Sequence, residues 1–395
     1  MVSEFLIGRR SRANTARAYQ VLAPGTPWRW VGFMGVLTGF LILGYYSVVA
    51  GWTLEYVLEA GLNGFADKTP DEFIRSFQAF SQSPFRPLAW MLVFLLLTHF
   101  VIVRGVKEGI EKSAKVMMPL LLVLIVVLVC CSLSLPGARA GVEFLLKPDF
   151  SQVNSKVLLG ALGQAFFSLS LGMGCLCTYA SYFSRDTNLG KTAVSVGVLD
   201  TVISVMAGLI IFPAAFSVGI RPDAGPSLIF ITLPNVFQQA FAGAPMMAYA
   251  FSLTFYVLLA LAALTSTISL HEVATAYMHE EWNISRKKAA VYVTSGCALV
   301  GVVSSLSLGV WQQYTLAGMG FFDCIDFLTA KIMLPFGGMM IALFTGWYLD
   351  RRIVWDEVSN GGRLKVVYFR AYLFILKYVA PVAIAFIFVN ELRGV

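Results

Sequence analysis

Long apolar runs alternate with short polar segments along almost the whole of this sequence. Nine runs approach or exceed the roughly 20 residues that a helix needs to cross the ~30 Å hydrocarbon core of a bilayer. They fall at 30–62, 87–103, 116–135, 155–184, 190–218, 247–281, 286–307, 318–349 and 364–391. The second run is short, and serines and glycines interrupt the fourth near its centre. The pattern predicts an all-α polytopic membrane protein with about nine transmembrane helices.

The composition supports a protein that lies in a lipid bilayer. Of the 395 residues, 58% are apolar and 13% are charged, which is about half the charged fraction of soluble domains. The net charge is +7, but the basic residues lie in short loops and form no basic domain or tail. This distribution argues against nucleic acid as a partner. The six cysteines lie mostly within apolar runs, where they are predicted to pack as small hydrophobic side chains.

The basic residues also predict the orientation of the chain. Nineteen of the 29 lysines and arginines lie in one set of alternate loops, eight lie in the opposite set, and Lys331 and Lys377 lie within spans. The positive-inside rule places the richer set in the cytoplasm. Nine spans then put the C-terminus outside. The outer loops 63–86, 137–154 and 219–246 are long enough to cover an outward-facing cavity, although plain connectors fit their composition equally well.

Polar residues of four spans are predicted to meet at one depth, near the middle of the bilayer. At 1.5 Å per helical residue, this level contains 168–172, Asp200, 263–269 and the pair Tyr45 and Tyr46. A carboxylate at this depth is costly and indicates a functional site by default. Each group also has a simpler explanation. The hydroxyls and Asp200 can bond neighbouring helices, the glycines can allow close packing, and the tyrosines can be core aromatics.

The stretch "FFSLSLGMGC" (166–175) has the composition of a helix that is broken at the midplane. Unpaired backbone groups are tolerated at that depth only where they face a cavity or a ligand. The start of the inner half can attract a carboxylate, and freed carbonyl groups can bind Na⁺. Hydroxyl, carbonyl and carboxylate oxygens suit an alkali cation. These residues indicate a secondary transporter of a small anionic or zwitterionic solute, coupled to Na⁺ or H⁺.

Four segments resemble the bacterial branch of the neurotransmitter:sodium symporter family. They are "GQAFFSLSLGMG" (163–174), "GYYSVVAGW" (44–52), "AALTSTISL" (262–270) and "FFDCIDF" (321–327), which resemble the family's sixth, third, eighth and tenth helices. The resemblance extends over essentially the whole chain, and the sixth-helix motif is highly specific. It implies the inverted-repeat sodium-symporter fold and Na⁺-driven transport of amino acids or related small zwitterions across the cytoplasmic (inner) membrane.

The resemblance also implies roles for individual residues. The implied substrate-binding residues are Ile42, Tyr46, Phe167, Ser168, Ser170, Met173, Ser266 and Leu270, with the Tyr46 hydroxyl donating to the substrate carboxylate. One implied Na⁺ site contains Ala262, Thr265 and Ser266, and the other contains Ser168 and Asp200. Phe167, Gln164 and Asp326 resemble the outer gate, whereas Tyr182 and Glu280 resemble the inner gate. Each Na⁺ site is expected to be incomplete in this chain.

Two features depart from the family pattern. Asp200 stands where the family usually has asparagine, which keeps the oxygen and adds a charge. The family's first helix has no counterpart, so residues 1–29 are expected to be the end of a truncated second helix and a cytoplasmic loop. Residues 30–391, with their nine spans, are expected to complete a single transmembrane domain. Glu4 matches a second-helix glutamate that is expected to bond the unwound sixth helix.

Two functions from different classes therefore compete. The first is Na⁺-coupled amino-acid symport, and the alternative is a truncated remnant that transports nothing and at most associates with other membrane proteins. An ion channel fits less well because the polar groups converge at one depth instead of lining a continuous pore. An enzyme fits worst, since the three histidines, His99, His271 and His279, form no cluster and no nucleophile lies at a suitable spacing from a base. The sequence leaves the identity of the amino acid and the oligomeric state open.

Overall fold

The computed structural model describes residues 1–220, 227–316 and 318–393, with side chains as far as residue 389. Arg221 and the side chain of Arg393, which the loop counts assign to the outer side, lie outside the described residues. The described α-helices, three of which include π-helical turns, are listed in chain order; a 3₁₀ turn at Phe150–Gln152 and a π-helical segment at Leu228–Thr232 lie between them. They are α1 (Val2–Ser11), α2 (Thr15–Leu22), α3 (Arg29–Gly61), α4 (Pro70–Ser81), α5 (Arg86–Val103), α6 (Val106–Leu133), α7 (Ala138–Leu146), α8 (Ser155–Ser168), α9 (Cys175–Ser181), α10 (Leu189–Ser217), α11 (Leu233–Ala240), α12 (Pro245–Glu281), α13 (Arg286–Ser307), α14 (Phe321–Tyr348), α15 (Arg351–Val358) and α16 (Phe369–Val389).

Eight helices in this part of the chain are long and apolar enough to cross a membrane, namely α3, α5, α6, α10, α12, α13, α14 and α16. They correspond to eight of the nine predicted runs. The ninth run, 155–184, is divided between α8 and α9, with non-helical residues from 169 to 174. The structure therefore confirms both the all-helical class and the interruption that the serines and glycines predict.

One span begins earlier than its apolar run predicts. The run starts at 116, whereas α6 begins at Val106. The added turns carry exposed ion pairs at i,i+4 spacing, with Lys112 Nζ 3.8 Å from Glu108 Oε2 and Lys115 Nζ 2.7 Å from Glu111 Oε1. Such pairs support a helix in water, so the helix continues beyond the apolar part of the sequence.

The outer loops contain short helices that pack on the ends of the spans. The helix α4 begins with a capping box, in which Thr69 and Glu72 satisfy each other's backbone amides. Its Phe77 ring stacks on Phe230, at 6.0 Å between centroids, and so fastens the first outer loop to the third. In the second outer loop, Gly141 of α7 lies directly against the backbone of α10. These loops are folded structures and not plain connectors.

Among the described helices, α3 makes the most extensive contacts and is the most deeply buried span. More than half of its most apolar stretch is buried within the bundle, and it packs against α2, α5, α12 and α13. Glycines allow the close approach: a Cβ atom at Gly51 would lie 2.6 Å from the backbone nitrogen of Met91 in α5. Because α3 and α12 adjoin the break between α8 and α9, residues of these four helices can surround a common space.

Candidate substrate and ion site

The break between α8 and α9, in the segment that resembles the family's sixth helix, has a defined backbone geometry. Ser170, Gly172 and Gly174 have φ values of 53°, 82° and 78°, in the left-handed region. Glycine adopts this region at little cost, whereas other residues rarely do. The chain therefore leaves the helix after Ser168 and enters a new one at Cys175. The spacing of glycines in the sequence is what makes this break possible.

Backbone groups that the break frees are bonded by α1 and α2. The amide of Gly172 donates to Glu4 Oε1 over 3.2 Å, and the hydroxyl of Thr15 donates to the carbonyl oxygen of Gly174 over 2.8 Å. The Glu4 side chain is only 2% exposed. A buried amide or carbonyl left without a partner would cost free energy. The predicted contact between Glu4 and the unwound segment is therefore present in the structure.

Substituting Gly172 by alanine is expected to lower the free energy of unfolding by about 2–4 kcal/mol. A left-handed φ costs a non-glycine residue about 1–2 kcal/mol, and overpacking adds about 1–3 kcal/mol because the new Cβ would lie 2.7 Å from the carbonyl oxygen of Leu334. The thermal unfolding temperature of the purified protein in detergent measures this effect. Gly160→Ala is the control, since Gly160 lies in α8 with open space around it. Equal melting temperatures for the two variants would contradict the role of Gly172.

A cavity of about 280 Å³ lies beside the break. All eight residues that the resemblance implies for substrate binding line it. Four further residues complete the lining: Met118, Cys175, Thr265 and Ser269. The cavity is therefore apolar on some sides and rich in hydroxyl groups on others, as suits a small amphipathic molecule.

Three of the lining residues were not predicted from the sequence. Ser269 lies one turn beyond Ser266 on the same helix, and Cys175 directly follows the Gly174 that ends the break, so their spacing from predicted residues was a usable signal. Met118 gave no signal. It lies in an apolar stretch of α6, and only the packing of α6 against α12 brings it to the cavity.

The predicted Na⁺ ligands form two groups of oxygen atoms. In the first group, the hydroxyl of Ser168 donates to Asp200 Oδ1 over 2.7 Å. In the second, the Thr265 and Ser266 hydroxyls lie 2.7 and 3.4 Å from the carbonyl oxygen of Ala262. Within the described residues no three His, Cys, Asp or Glu side chains lie together as a metal site. Hydroxyl, carbonyl and carboxylate oxygens fit a hard alkali cation.

The three residues of the predicted outer gate lie around a second cavity. Gln164, Phe167 and Asp326 are all in its lining, and its volume is about 450 Å³. Phe167 also lines the first cavity and is 43% exposed. Its ring therefore lies between the two spaces. The structure brings these three residues together as the resemblance implies.

The two residues of the predicted inner gate are not bonded to each other. The Tyr182 hydroxyl donates to Glu272 Oε1 over 2.8 Å. Glu280 instead accepts hydrogen bonds from the backbone and side-chain nitrogens of Asn14, over 2.8 and 2.9 Å. The carboxylate that faces Tyr182 lies eight residues before the one predicted.

Glu272 is a buried charged residue that the sequence analysis missed. Its side chain has no exposed surface, and the Arg286 guanidinium donates to both of its oxygens, over 3.0 Å to Oε1. Arg286 is 20% exposed and also donates to the carbonyl oxygen of Ile102 over 3.2 Å. The signal was available, because a carboxylate inside an apolar span indicates a site by default. This ion pair joins α12 to the start of α13 and to the end of α5.

Three comparisons with known proteins point to one family. The model of the sodium:neurotransmitter symporter family matches residues 68–394. An uncharacterized sodium-dependent transporter of Bacillus subtilis (strain 168) is 38% identical over 99% of this chain and 85% of its own length. The crystal structure of MhsT in complex with L-phenylalanine superposes with a TM-score of 0.89 and 40% identity, over 99% of this chain and 87% of that one.

The name of a more distant relative states a substrate class. The sodium-dependent nutrient amino acid transporter 1 of Drosophila yakuba is 29% identical over 57% of this chain and 35% of its own length. The comparisons confirm the sodium-symporter fold and the prediction that the protein is not an enzyme. The chain belongs to the sodium:neurotransmitter symporter family of multi-pass, sodium-dependent membrane transporters.

Proposed function

We propose that this protein carries an amino acid or a related small zwitterion across the cytoplasmic membrane together with Na⁺. The observation that supports this function best is the cavity beside the helix break. The eight residues that the family resemblance implies for substrate binding, from α3, α8, the break and α12, line that one space. L-Phenylalanine is bound in the crystal structure of MhsT, whose fold superposes on this chain.

In this proposal the polar side of the cavity holds the charged end of the substrate. The Tyr46 hydroxyl donates to the carboxylate, and Ser168 and Ser170 lie across the cavity on and just after α8. Ile42, Met173 and Leu270 contact the substrate side chain, which favours an apolar one. Each of these three residues is buried, so a charged side chain would be desolvated without a partner.

We further propose that Na⁺ binds at one or both groups of oxygens, with Asp200 supplying the one carboxylate among these ligands. Gln164, Phe167 and Asp326 then close the outer side of the cavity. On the inner side, Tyr182 and Glu280 remain proposed gate residues, and the structure adds Glu272 as the partner of Tyr182. Loss of the outer-gate contacts is expected to open the outer side of the cavity to water, and loss of the inner-gate contacts is expected to open the inner side.

Uptake by the purified protein in liposomes tests the proposed function. Radiolabelled amino acids are screened with an inward Na⁺ gradient, and a matched K⁺ gradient is the control. The proposal expects saturable uptake of at least one amino acid with an apolar side chain, only in the Na⁺ gradient. Equal uptake in both gradients would contradict Na⁺ coupling, and the absence of uptake for every amino acid would contradict the substrate class.

The Tyr46→Phe variant is expected to weaken binding of that amino acid by about 1–3 kcal/mol, because the bound carboxylate loses a buried donor. This corresponds to roughly 5-fold to 150-fold in the dissociation constant. Radioligand binding to the detergent-solubilised protein measures it.

An analogue of the substrate that lacks the carboxylate provides the control for Tyr46. Its binding is expected to be nearly the same for the parent and Tyr46→Phe. A matched variant is Ser47→Ala, since the next residue of α3 is buried and its hydroxyl bonds the carbonyl of Gly44, away from the cavity. Equal losses for substrate and analogue would show that Tyr46 only packs.

A further inference from the structure

A short helix at the end of the bundle carries arginines whose charge the ion and substrate site does not use. The helix α15 connects the last two spans, α14 and α16, on the side that the basic loops assign to the cytoplasm. Val354 and Val358 are buried beneath it, whereas Arg351, Arg352 and Trp355 point outward and are exposed. The helix is therefore amphipathic, with its basic and aromatic side chains on the outer face.

A cavity of about 480 Å³ lies on this face. Its lining contains three arginines and one aspartate among six residues: Arg10, Arg351, Arg352, Ile353, Trp355 and Asp356. The lining therefore carries a net charge of +2. Arg10 is paired with Asp356, at 2.7 Å between Nη1 and Oδ2, and with Glu357, at 3.4 Å between Nη1 and Oε1. No ion pair is found for Arg351 or Arg352 within the described ranges, and the nearby Asp350 carboxylate accepts from the backbone amide of Arg352.

The cavity lies beside the ends of two spans, where lipid headgroups are expected. The helix begins three residues after Tyr348, where α14 ends, and its Trp355 ring packs edge-on against Phe369, the first residue of α16, at 4.9 Å between centroids. Trp355 is 41% exposed. Tryptophan at the end of a span is typical of the membrane–water interface, with an apolar ring next to the acyl chains. The arginines beside it then lie at the level of the phosphate groups.

We propose that Arg351, Arg352 and Arg10 bind the phosphate group of an anionic phospholipid of the cytoplasmic leaflet, with Trp355 against its glycerol and upper acyl chain. Guanidinium groups match phosphate oxygens in a bidentate geometry and are more weakly hydrated than ammonium groups. The cytoplasmic leaflet is negatively charged and attracts basic segments next to spans. This site is independent of the substrate cavity and of the proposed transport function.

Arg10 gives such a lipid a connection to the rest of the bundle. Its neighbour Arg9 is buried and bonds Glu357 Oε2 over 2.6 Å and the carbonyl oxygen of Thr187 over 2.6 Å. The arginine pair therefore links α1 to α15 and to the loop that follows α9. A phospholipid held on the outer side of Arg10 would add a further contact to this junction.

Native mass spectrometry of the full chain in detergent tests the site with phosphatidylglycerol, phosphatidylcholine and sodium phosphate as separate probes. Phosphatidylglycerol is expected to bind the parent. The double variant Arg351→Gln/Arg352→Gln is expected to bind it with an apparent affinity about 10-fold or more lower. The double variant Arg351→Lys/Arg352→Lys keeps the charge but loses the planar guanidinium groups that bind phosphate in a bidentate geometry. An intermediate loss of affinity is therefore expected. The control is Lys287→Gln with Lys288→Gln, an exposed basic pair at the start of α13 that does not line this cavity.

The outcomes separate the proposal from its alternatives. An equal loss in the lysine control would show a general effect of surface charge and overturn the site. Phosphatidylcholine that binds as tightly as phosphatidylglycerol would show apolar contact alone, and sodium phosphate that displaces phosphatidylglycerol completely would show a free-anion site. Either result would overturn the proposal. Melting temperatures of the variants, expected to match the parent's before lipid is added, show whether the fold is intact.

Discussion

Replacing Glu272 with glutamine is expected to lower the free energy of unfolding by about 3–5 kcal/mol, because it leaves the Arg286 charge without its counter-charge in the interior of the bundle. The Glu272 carboxylate accepts from the guanidinium of Arg286 and from the hydroxyl of Tyr182. A neutral amide has one acceptor oxygen for these three donated bonds. Thermal unfolding of the detergent-solubilised protein measures the loss, and Na⁺-driven uptake is expected to fall with it.

The matched control is Glu108→Gln. Glu108 also pairs with a basic residue, Lys112, but its side chain is 78% exposed. Exposed i,i+4 pairs contribute only about 0.3–0.5 kcal/mol, so the melting temperature is expected to change little. Replacing Glu272 and Arg286 together with methionine is expected to restore much of the stability lost in Glu272→Gln, since no unpaired charge remains. A Glu272→Gln variant as stable as Glu108→Gln would contradict a buried ion pair.

The fold was predictable because it depends on properties that the linear sequence carries directly. A bilayer requires apolar runs of a given length, and each run marked a helix. Serines and glycines at the centre of 155–184 predicted the break, since Ser170, Gly172 and Gly174 adopt the required positive φ. Depth also follows from residue counting at 1.5 Å per residue. For this reason Ser168 and Asp200 could be placed at one level, and the structure shows them hydrogen-bonded.

Lateral neighbours could not be predicted in the same way. Which helix lies beside which depends on packing, so Met118 could not be assigned to the cavity from its own apolar segment. The inner gate illustrates the same limit along one helix. Glu272 and Glu280 are separated by about two turns, or roughly 12 Å, and both are acids near the cytoplasmic end of α12. Only the position of α9 decides that Tyr182 meets the first of them.

Long-range pairs between charged residues could not be predicted from the sequence for a different reason. Arg9 and Glu357 are 348 residues apart and lie in segments that look alike in composition. Many such basic and acidic residues occur in the loops on that side, and nothing in the sequence pairs one with another. The buried pair nevertheless fixes α1 against α15, and it is the contact that places Arg10 beside the cavity of Arg351 and Arg352.

The Asp200→Asn variant is expected to raise the Na⁺ concentration for half-maximal uptake by about 10-fold to 100-fold. A hydrogen bond or ligand contact that involves a charged group contributes about 1.5–3 kcal/mol, and asparagine keeps the shape and one oxygen but loses the charge. The hydroxyl of Ser168 already donates to Asp200 Oδ1. The lone pairs of the Ser168 oxygen are therefore free to face a cation. Uptake as a function of Na⁺ concentration, in liposomes, measures the shift.

Chloride distinguishes the charge of Asp200 from its shape. A carboxylate within about 4 Å of Na⁺ offsets the charge of the ion directly, so uptake by the parent is expected to be the same in chloride and gluconate buffers. In Asp200→Asn that negative charge is missing, and chloride is expected to restore part of the uptake. Ser204→Ala, one helical turn away, is expected to behave as the parent does. A parent that requires chloride would show that Asp200 does not offset the Na⁺ charge, and would leave it as a hydrogen-bond acceptor for Ser168 alone.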